Sequence, residues 1–285
     1  MPSFGFILLS PDAVVLGLES KALAFLEARG FCVVAWQWLT VDRSRTARLY
    51  AHNRAKKIDR DLDNLIDRLY EIGTSLACLV RYSGHDAASQ LTVLKGPARP
   101  SKCGSVHLRQ VLGSENAILN RLHASDSSAG VEFEAELLLG ASVSVRSVPT
   151  HSVIESKPGC LPFRSSTSAF EVSARLKGQL IACEEERTRL SCLLQEELAC
   201  AGKLLKDERD YARLEELRTE EIAIVKKQGW PKLVVSAVTA LSSSPATSDG
   251  WRLSIECLSK RGFRVDPWDE LIIESEVFCR ANGWV

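Results

Sequence analysis

The 285-residue sequence has no surplus of charge of either sign, because 36 lysines and arginines offset 36 aspartates and glutamates. That balance gives no electrostatic basis for binding nucleic acid or an anionic membrane. No basic face with regularly spaced stacking aromatics supplies one either. Long apolar runs are also missing. None approaches the roughly 20 residues needed to cross a bilayer, and the N-terminus has no basic stretch leading into an apolar one. A cytoplasmic location is therefore expected, with neither membrane nor nucleic acid as a partner. Paired metal-ligand spacing is a third absence. The nine cysteines (Cys32, Cys78, Cys103, Cys160, Cys183, Cys192, Cys200, Cys257, Cys279) are odd in number and scattered, with no Cys-x-x-Cys pair. They read as free thiols in a reducing compartment, serving as small core residues, and no metal site is expected.

What is present is an ordinary soluble composition, 45% apolar and 25% charged. The length leaves room for a domain of roughly 140 to 150 residues and an appended element. Residues 4–9 form a short apolar run ended by Ser10-Pro11-Asp12, as in a buried strand. A helix follows, with Leu18, Ala22, Phe25 and Leu26 on one face and Gly30 as its stop. Residues 31–41, rich in β-branched and aromatic side chains, predict a second strand. Leu62, Leu65, Ile66 and Leu69 recur at helical spacing within 44–72. A third strand at 75–82, a helix at 86–94 capped by Asp86, a short strand near 118–122 and a helix at about 127–140 complete the order. This alternation implies an α+β fold: an antiparallel or mixed sheet with helices on one face, of the ferredoxin-like kind.

Prolines, serines and the lack of a sustained period mark 141–168 as a linker. Residues 169–229 are dense in Glu, Arg, Lys and Leu, without proline until Pro231. Their apolar stripe (Leu176, Leu180, Cys183, Leu190, Leu194, Leu198, Ala201, Leu205) predicts a long helix or helical hairpin. Arg187, Glu197 and Glu208 interrupt the heptad that a regular coiled coil needs. Residues 230–285 read as a small all-α tail, with Trp230-Pro231 ending the long helix and a serine-rich loop at 242–250. Four of the six tryptophans lie in this tail, where packing is the simpler role for them.

Chemistry concentrates in residues 96–127. Gly96-Pro97 and Pro100 shape a basic turn, Arg109 follows, and His123 sits between Asn120 and Ser125-Asp126-Ser127. Alone, a histidine beside an apolar helix reads as structural. A nucleophilic imidazole needs one nitrogen bare and the other held by an acceptor that fixes the tautomer, and Glu134, eleven residues on, is a candidate acceptor.

This stretch resembles the active-site loop of nucleoside diphosphate kinases, whose pattern runs G-P-T-x-P, S-L-R, then N-x-x-H-x-S-D-S. The resemblance covers about residues 3–140, and that family has the fold expected above. It implies that His123 is phosphorylated by one nucleoside triphosphate and passes the phosphoryl group to a diphosphate, with Mg2+ accompanying the nucleotide. By the same resemblance Glu134 orients His123, Asn120 meets the sugar, Arg109 meets the phosphates, Tyr50 lies beside the histidine, and Ser125 follows the nucleophile as the family's serine does.

The chain departs from the pattern at several positions. Ser10 stands where the family has the lysine of K-P-D, Thr92 where it has an arginine, and Ala98 where it has the threonine of G-P-T. The phenylalanine on which the base stacks has no counterpart in 59–64, and one extra residue lies between Gly113 and His123. Phosphoryl transfer depends on positioning and charge neutralisation, so a weakened enzyme is expected unless Lys95, Arg99 or Lys102 takes over the phosphates. These three and His107 read equally as a solvated basic turn. The alternative is an inert nucleotide-binding or scaffold module acting through its helical half, which would dock a protein partner or self-associate.

Overall fold

The computed structural model describes residues 3–56, 59–140, 148–159, 161, 163–181, 188–201, 208–227, 232–242 and 248–284. They divide into two compact units, residues 1–165 with 284–285, and residues 166–283. In chain order the first unit contains β1 (Ser3–Leu9), α1 (Pro11–Val14), α2 (Glu19–Glu27), β2 (Phe31–Leu39), α3 (Arg43–Leu49), α4 (Ala51–Lys56) and α5 (Arg60–Glu71). It continues through β3 (Ser75–Tyr82), α6 (Ala87–Lys95), a 3-10 turn at Pro100–Lys102, α7 (Leu108–Val111), β4 (Leu122–Ala124), α8 (Ser128–Leu139) and α9 (Thr150–Glu155).

The four strands form one antiparallel sheet in the order β2-β3-β1-β4. Its two central strands are almost wholly apolar and buried along their length, so both faces of the sheet need cover. Ile7, Leu9, Leu76, Cys78 and Val80 pack one face against α2, α6 and α9. Phe6, Leu8, Ala77 and Leu79 pack the other against α3, α5 and α8. One-sided cover, expected from the element order, is thus corrected. The central strands show no polar alternation, and that is the signal of a sheet buried on both sides.

Two further local differences have visible causes. The 44–72 segment forms separate helices because Asp42 accepts from the Arg45 amide (2.9 Å) and Asp59 from the Leu62 amide (3.2 Å), each starting a new helix. The strand expected at 118–122 lies instead at Leu122–Ala124. Asn116 accepts from the Ile118 and Leu119 amides, and Arg121 adopts φ 74°, so the run cannot extend earlier. Within 141–168, α9 buries Val153, and Trp36 Nε1 donates to Ser156 Oγ at 2.8 Å.

The second unit is helical: α10 (Ala169–Ile181), α11 (Thr188–Ala201), α12 (Glu208–Lys227), α13 (Lys232–Ser242), α14 (Ser248–Lys260) and α15 (Pro267–Ala281). Leu176, Leu180, Leu190 and Leu194 of the apolar stripe are buried. Cys183 and Leu205 lie outside the described residues, as do Arg187, Trp230-Pro231 and most of the 242–250 loop. Glu197, which breaks the heptad, is buried as well. It accepts from Lys177 and from Arg218 Nε (3.0 Å), while Lys177 also donates to Glu221 at 2.6 Å. Burial pushes the Glu221 carboxyl up, and the Lys177 charge partly draws it back. Two cations and two carboxylates neutralise one another here, so this stripe tolerates charge at its centre. Trp251 and Trp268 pack inside this unit, as expected of the tail tryptophans, but Trp284 does not belong to it.

Candidate active site

His123 is placed by sheet register. On β4 it stands opposite Leu8 of β1, while Leu122 and Ala124 point to the opposite face and join its core. The imidazole therefore emerges on the face covered by α8, which presents Glu134 about two turns after its N-cap. That cap is Ser127, whose hydroxyl accepts from the Gly130 amide (3.1 Å). The same short segment thus supplies the strand residue, the cap and the start of the helix that holds the imidazole.

Glu134 Oε2 lies 2.9 Å from His123 Nε2 and 2.5 Å from Ser125 Oγ. An ionised carboxylate only accepts, so the hydroxyl and the Nε2–H both donate to it, and Nδ1 is left as the bare nitrogen. The Tyr50 ring meets the imidazole edge-on, with centroids 5.5 Å apart. Its hydroxyl is 3.0 Å from that of Tyr70. Burial pushes the Tyr50 phenol up to about 12, against a smaller opposing effect of the Tyr70 bond, so it stays neutral at any working pH.

A cavity of about 440 Å³ opens in front of His123. Arg109 reaches it from α7, fixed by donating to the Gly96 carbonyl (2.8 Å), the Leu122 carbonyl (2.9 Å) and Asn120 Oδ1 (3.4 Å). Burial lowers the Arg109 pKa, while nearby Tyr50 and Cys103 favour the charged form, and the guanidinium remains a cation. Asn120 also donates to the Ala117 carbonyl at 2.6 Å. Lys95, at the C-terminus of α6, reaches Asp126 Oδ1 (2.8 Å) and the Ala124 carbonyl (3.0 Å). Burial alone would raise the Asp126 carboxyl, but the Lys95 and Thr92 contacts outweigh it and hold it below the usual range.

Of the sequence-predicted residues, His123, Asn120, Arg109, Tyr50, Lys95 and Arg99 share this cavity. Glu134 and Ser125 support the imidazole from behind. Lys102 is exposed on the 3-10 turn and is not among the cavity residues, and His107 instead accepts from the Gly104 amide (2.8 Å). Ser10 donates to Asp12 Oδ1 at 2.5 Å, which commits its hydroxyl to the protein.

Four contributors escaped the sequence reading. Arg121, fully buried, pairs with Asp12 at 3.0 Å and donates to the Gly113 carbonyl, locking the loop that precedes His123. Arg54 lines the cavity while bound to Asp67 (2.5 Å) and Asp63 (3.4 Å). Tyr70 braces Tyr50, and Trp284 closes part of the wall. The Pro-Asp of 11–12 was the available signal for Arg121, since a carboxylate buried at a strand end requires a cation. Arg109 keeps one buried Nε–H without a protein acceptor, whereas Arg54 Nε faces Asp63 Oδ1 at 3.4 Å without forming a well-aligned hydrogen bond. Among the described residues there is no group of three or more His, Cys, Asp or Glu arranged to hold a metal ion, and no helix is long and apolar enough to cross a membrane.

The family profile described as nucleoside diphosphate kinase matches residues 4–143. Among solved structures, the apo nucleoside diphosphate kinase of Encephalitozoon cuniculi aligns at 24% identity and TM-score 0.45, over 53% of this chain and 95% of its own. The nucleoside diphosphate kinase of Thermococcus kodakarensis is 32% identical over 133 residues, 46% of this chain and 73% of its own length. That of Desulfovibrio desulfuricans is 30% identical over 129 residues, 45% of this chain and 88% of its own length. On the strength of the Thermococcus and Desulfovibrio relatives, each at least 30% identical over more than two thirds of its own length, the chain belongs to the nucleoside diphosphate kinase family.

Proposed function

We propose that the first unit transfers a phosphoryl group between nucleoside triphosphates and diphosphates through a phosphohistidine at His123. The observation that carries this reading is the Glu134–His123 pair at 2.9 Å, set beside a cavity that also holds Arg109, Asn120 and Lys95. The Nδ1 lone pair attacks the terminal phosphorus, the bond to the bridging oxygen breaks, and that oxygen's electron pair leaves with the nucleoside diphosphate. Nε2–H stays hydrogen-bonded to Glu134, whose charge offsets the positive charge that the ring acquires. A second diphosphate then attacks the phosphohistidine and regenerates the bare Nδ1.

Arg109 and Lys95 neutralise the charge that develops on the transferred group. Arg109 is preorganised by two backbone carbonyls, while Lys95 must share itself with Asp126. The absence of a lysine at Ser10 and of an arginine at Thr92 leaves fewer cations than the family pattern provides, so the expected rate is reduced. Mg2+ would enter on the phosphates, as part of the magnesium–nucleotide substrate, since the described side chains offer it no carboxylate cluster. Glutamine at position 134 can still accept the Nε2–H but carries no charge. Glu134→Gln is therefore expected to slow phosphoryl transfer by roughly 10²-fold with little change in nucleotide affinity. Single-turnover kinetics with ATP and GDP checks this, and an unchanged rate would remove Glu134 from the mechanism.

A further inference from the structure

We infer that Trp284, the penultimate residue, supplies the face on which the nucleobase stacks in this cavity; this rests on the nucleotide reading of the site given above. Trp284 belongs to the same compact unit as His123, although 118 residues of the helical unit (166–283) precede it in the chain. Its carbonyl accepts from the Ala117 amide at 3.1 Å. Its indole lies 5.9 Å from the Arg99 guanidinium and lines the cavity together with Asn120 and His123.

The loop that carries Asn120 therefore also carries the anchor of Trp284, three residues earlier. A nucleotide laid with its phosphates at His123 and its sugar at Asn120 needs a flat apolar partner for its base. The two tyrosines of the cavity are already committed, Tyr50 edge-on to His123 and bonded to Tyr70. The α5 wall offers Leu62 and Ile66, which are aliphatic. Among the described residues of the cavity wall, the half-buried indole of Trp284 offers a further aromatic surface, and the Arg99 cation–π contact restrains its ring.

The test is equilibrium binding of ADP and of inorganic tripolyphosphate, which has no base, to the full chain and to its Trp284→Ala and Trp284→Phe variants. Trp284→Ala is expected to weaken ADP binding about tenfold while leaving tripolyphosphate within about twofold of the wild type. Trp284→Phe, which keeps a ring, is expected to hold ADP within about threefold. The quenching of tryptophan fluorescence by ADP should be much smaller in Trp284→Phe than in the wild type, and this reading does not depend on the alanine variant folding. Equal or tighter ADP binding by Trp284→Ala overturns the inference, tighter binding making Trp284 an occupant of the cavity. A wild type that binds tripolyphosphate as well as it binds ADP also overturns it. A wild type that binds neither overturns the nucleotide reading itself, and this inference with it.

Discussion

His123→Ala is expected to abolish covalent labelling by γ-labelled ATP and to lower phosphoryl transfer by a factor on the order of 10⁴ or more. The size of the effect follows from what surrounds the imidazole. The neighbouring hydroxyls cannot take its place: that of Ser125 is buried and donates to Glu134, and the Tyr50 phenol, pushed up to about 12 by burial, stays protonated. Arg109 and Lys95 would still hold a nucleotide, so binding of ADP should survive within a few-fold. The fold should survive too, because β4 keeps its backbone pairing with β1 and only one side chain at the cavity wall is lost. Loss of label with retained ADP affinity and an unchanged melting temperature separates a missing nucleophile from a damaged protein.

The second large effect is on stability. Asp12 and Arg121 are almost wholly buried, at 0% and 1% exposure, and paired at 3.0 Å. Asp12 also receives the Ser10 hydroxyl and the Arg121 backbone amide, and Arg121 also serves the Gly113 carbonyl. Removing Arg121 strands the Asp12 charge in the interior, and removing Asp12 leaves Arg121 only the partly exposed Glu115 at 3.3 Å; breaking a buried pair in this way typically costs about 3 to 5 kcal/mol. Asp12→Ala or Arg121→Leu should therefore lower the melting temperature of the first unit by roughly 10 °C. The double variant should recover part of that loss, because no uncompensated charge then remains. Calorimetry of the four proteins checks the cycle, and strictly additive losses would contradict it. Activity should fall in the single variants as well, since Arg121, at φ 74°, fixes the turn between Asn120 and His123.

The sheet and its order of elements were readable because β1 and β3 are short apolar runs bounded by turn residues, and because α2, α5 and α8 carry regular apolar spacing. The closing half of the loop was readable for a different reason. Asn120, His123, Ser125 and Glu134 lie within fifteen residues, on a short strand, its two flanking turns and the helix that follows, so local geometry alone brings them together. What the sequence did not reveal depends on long-range contact. Arg121 meets Asp12 across 109 positions, Arg54 is held by α5, and Trp284 arrives from the far end of the chain. Arg54 and Trp284 have no local signature, and the Pro-Asp of 11–12 signals a buried cation without saying which residue supplies it. Lys102 shows the converse: it shares a basic turn with Arg99, but the 3-10 turn at Pro100–Lys102 leaves it exposed and outside the cavity lining. Lys95 sits in the cavity, yet it is paired with Asp126 at 2.8 Å, a contact that spacing alone cannot disclose.

The balance between retained nucleophile and lost cations makes turnover the central question. The most direct measurement is a pulse–chase on the purified full chain: γ-labelled ATP with Mg2+, quenching in base, peptide mapping, and then a chase with unlabelled GDP. An acid-labile, base-stable label is expected on the peptide that carries His123, at up to one phosphoryl group per chain, which GDP removes as labelled GTP. Absence of any label at millimolar ATP, or a label on His123 that GDP cannot discharge, would contradict phosphoryl transfer through His123.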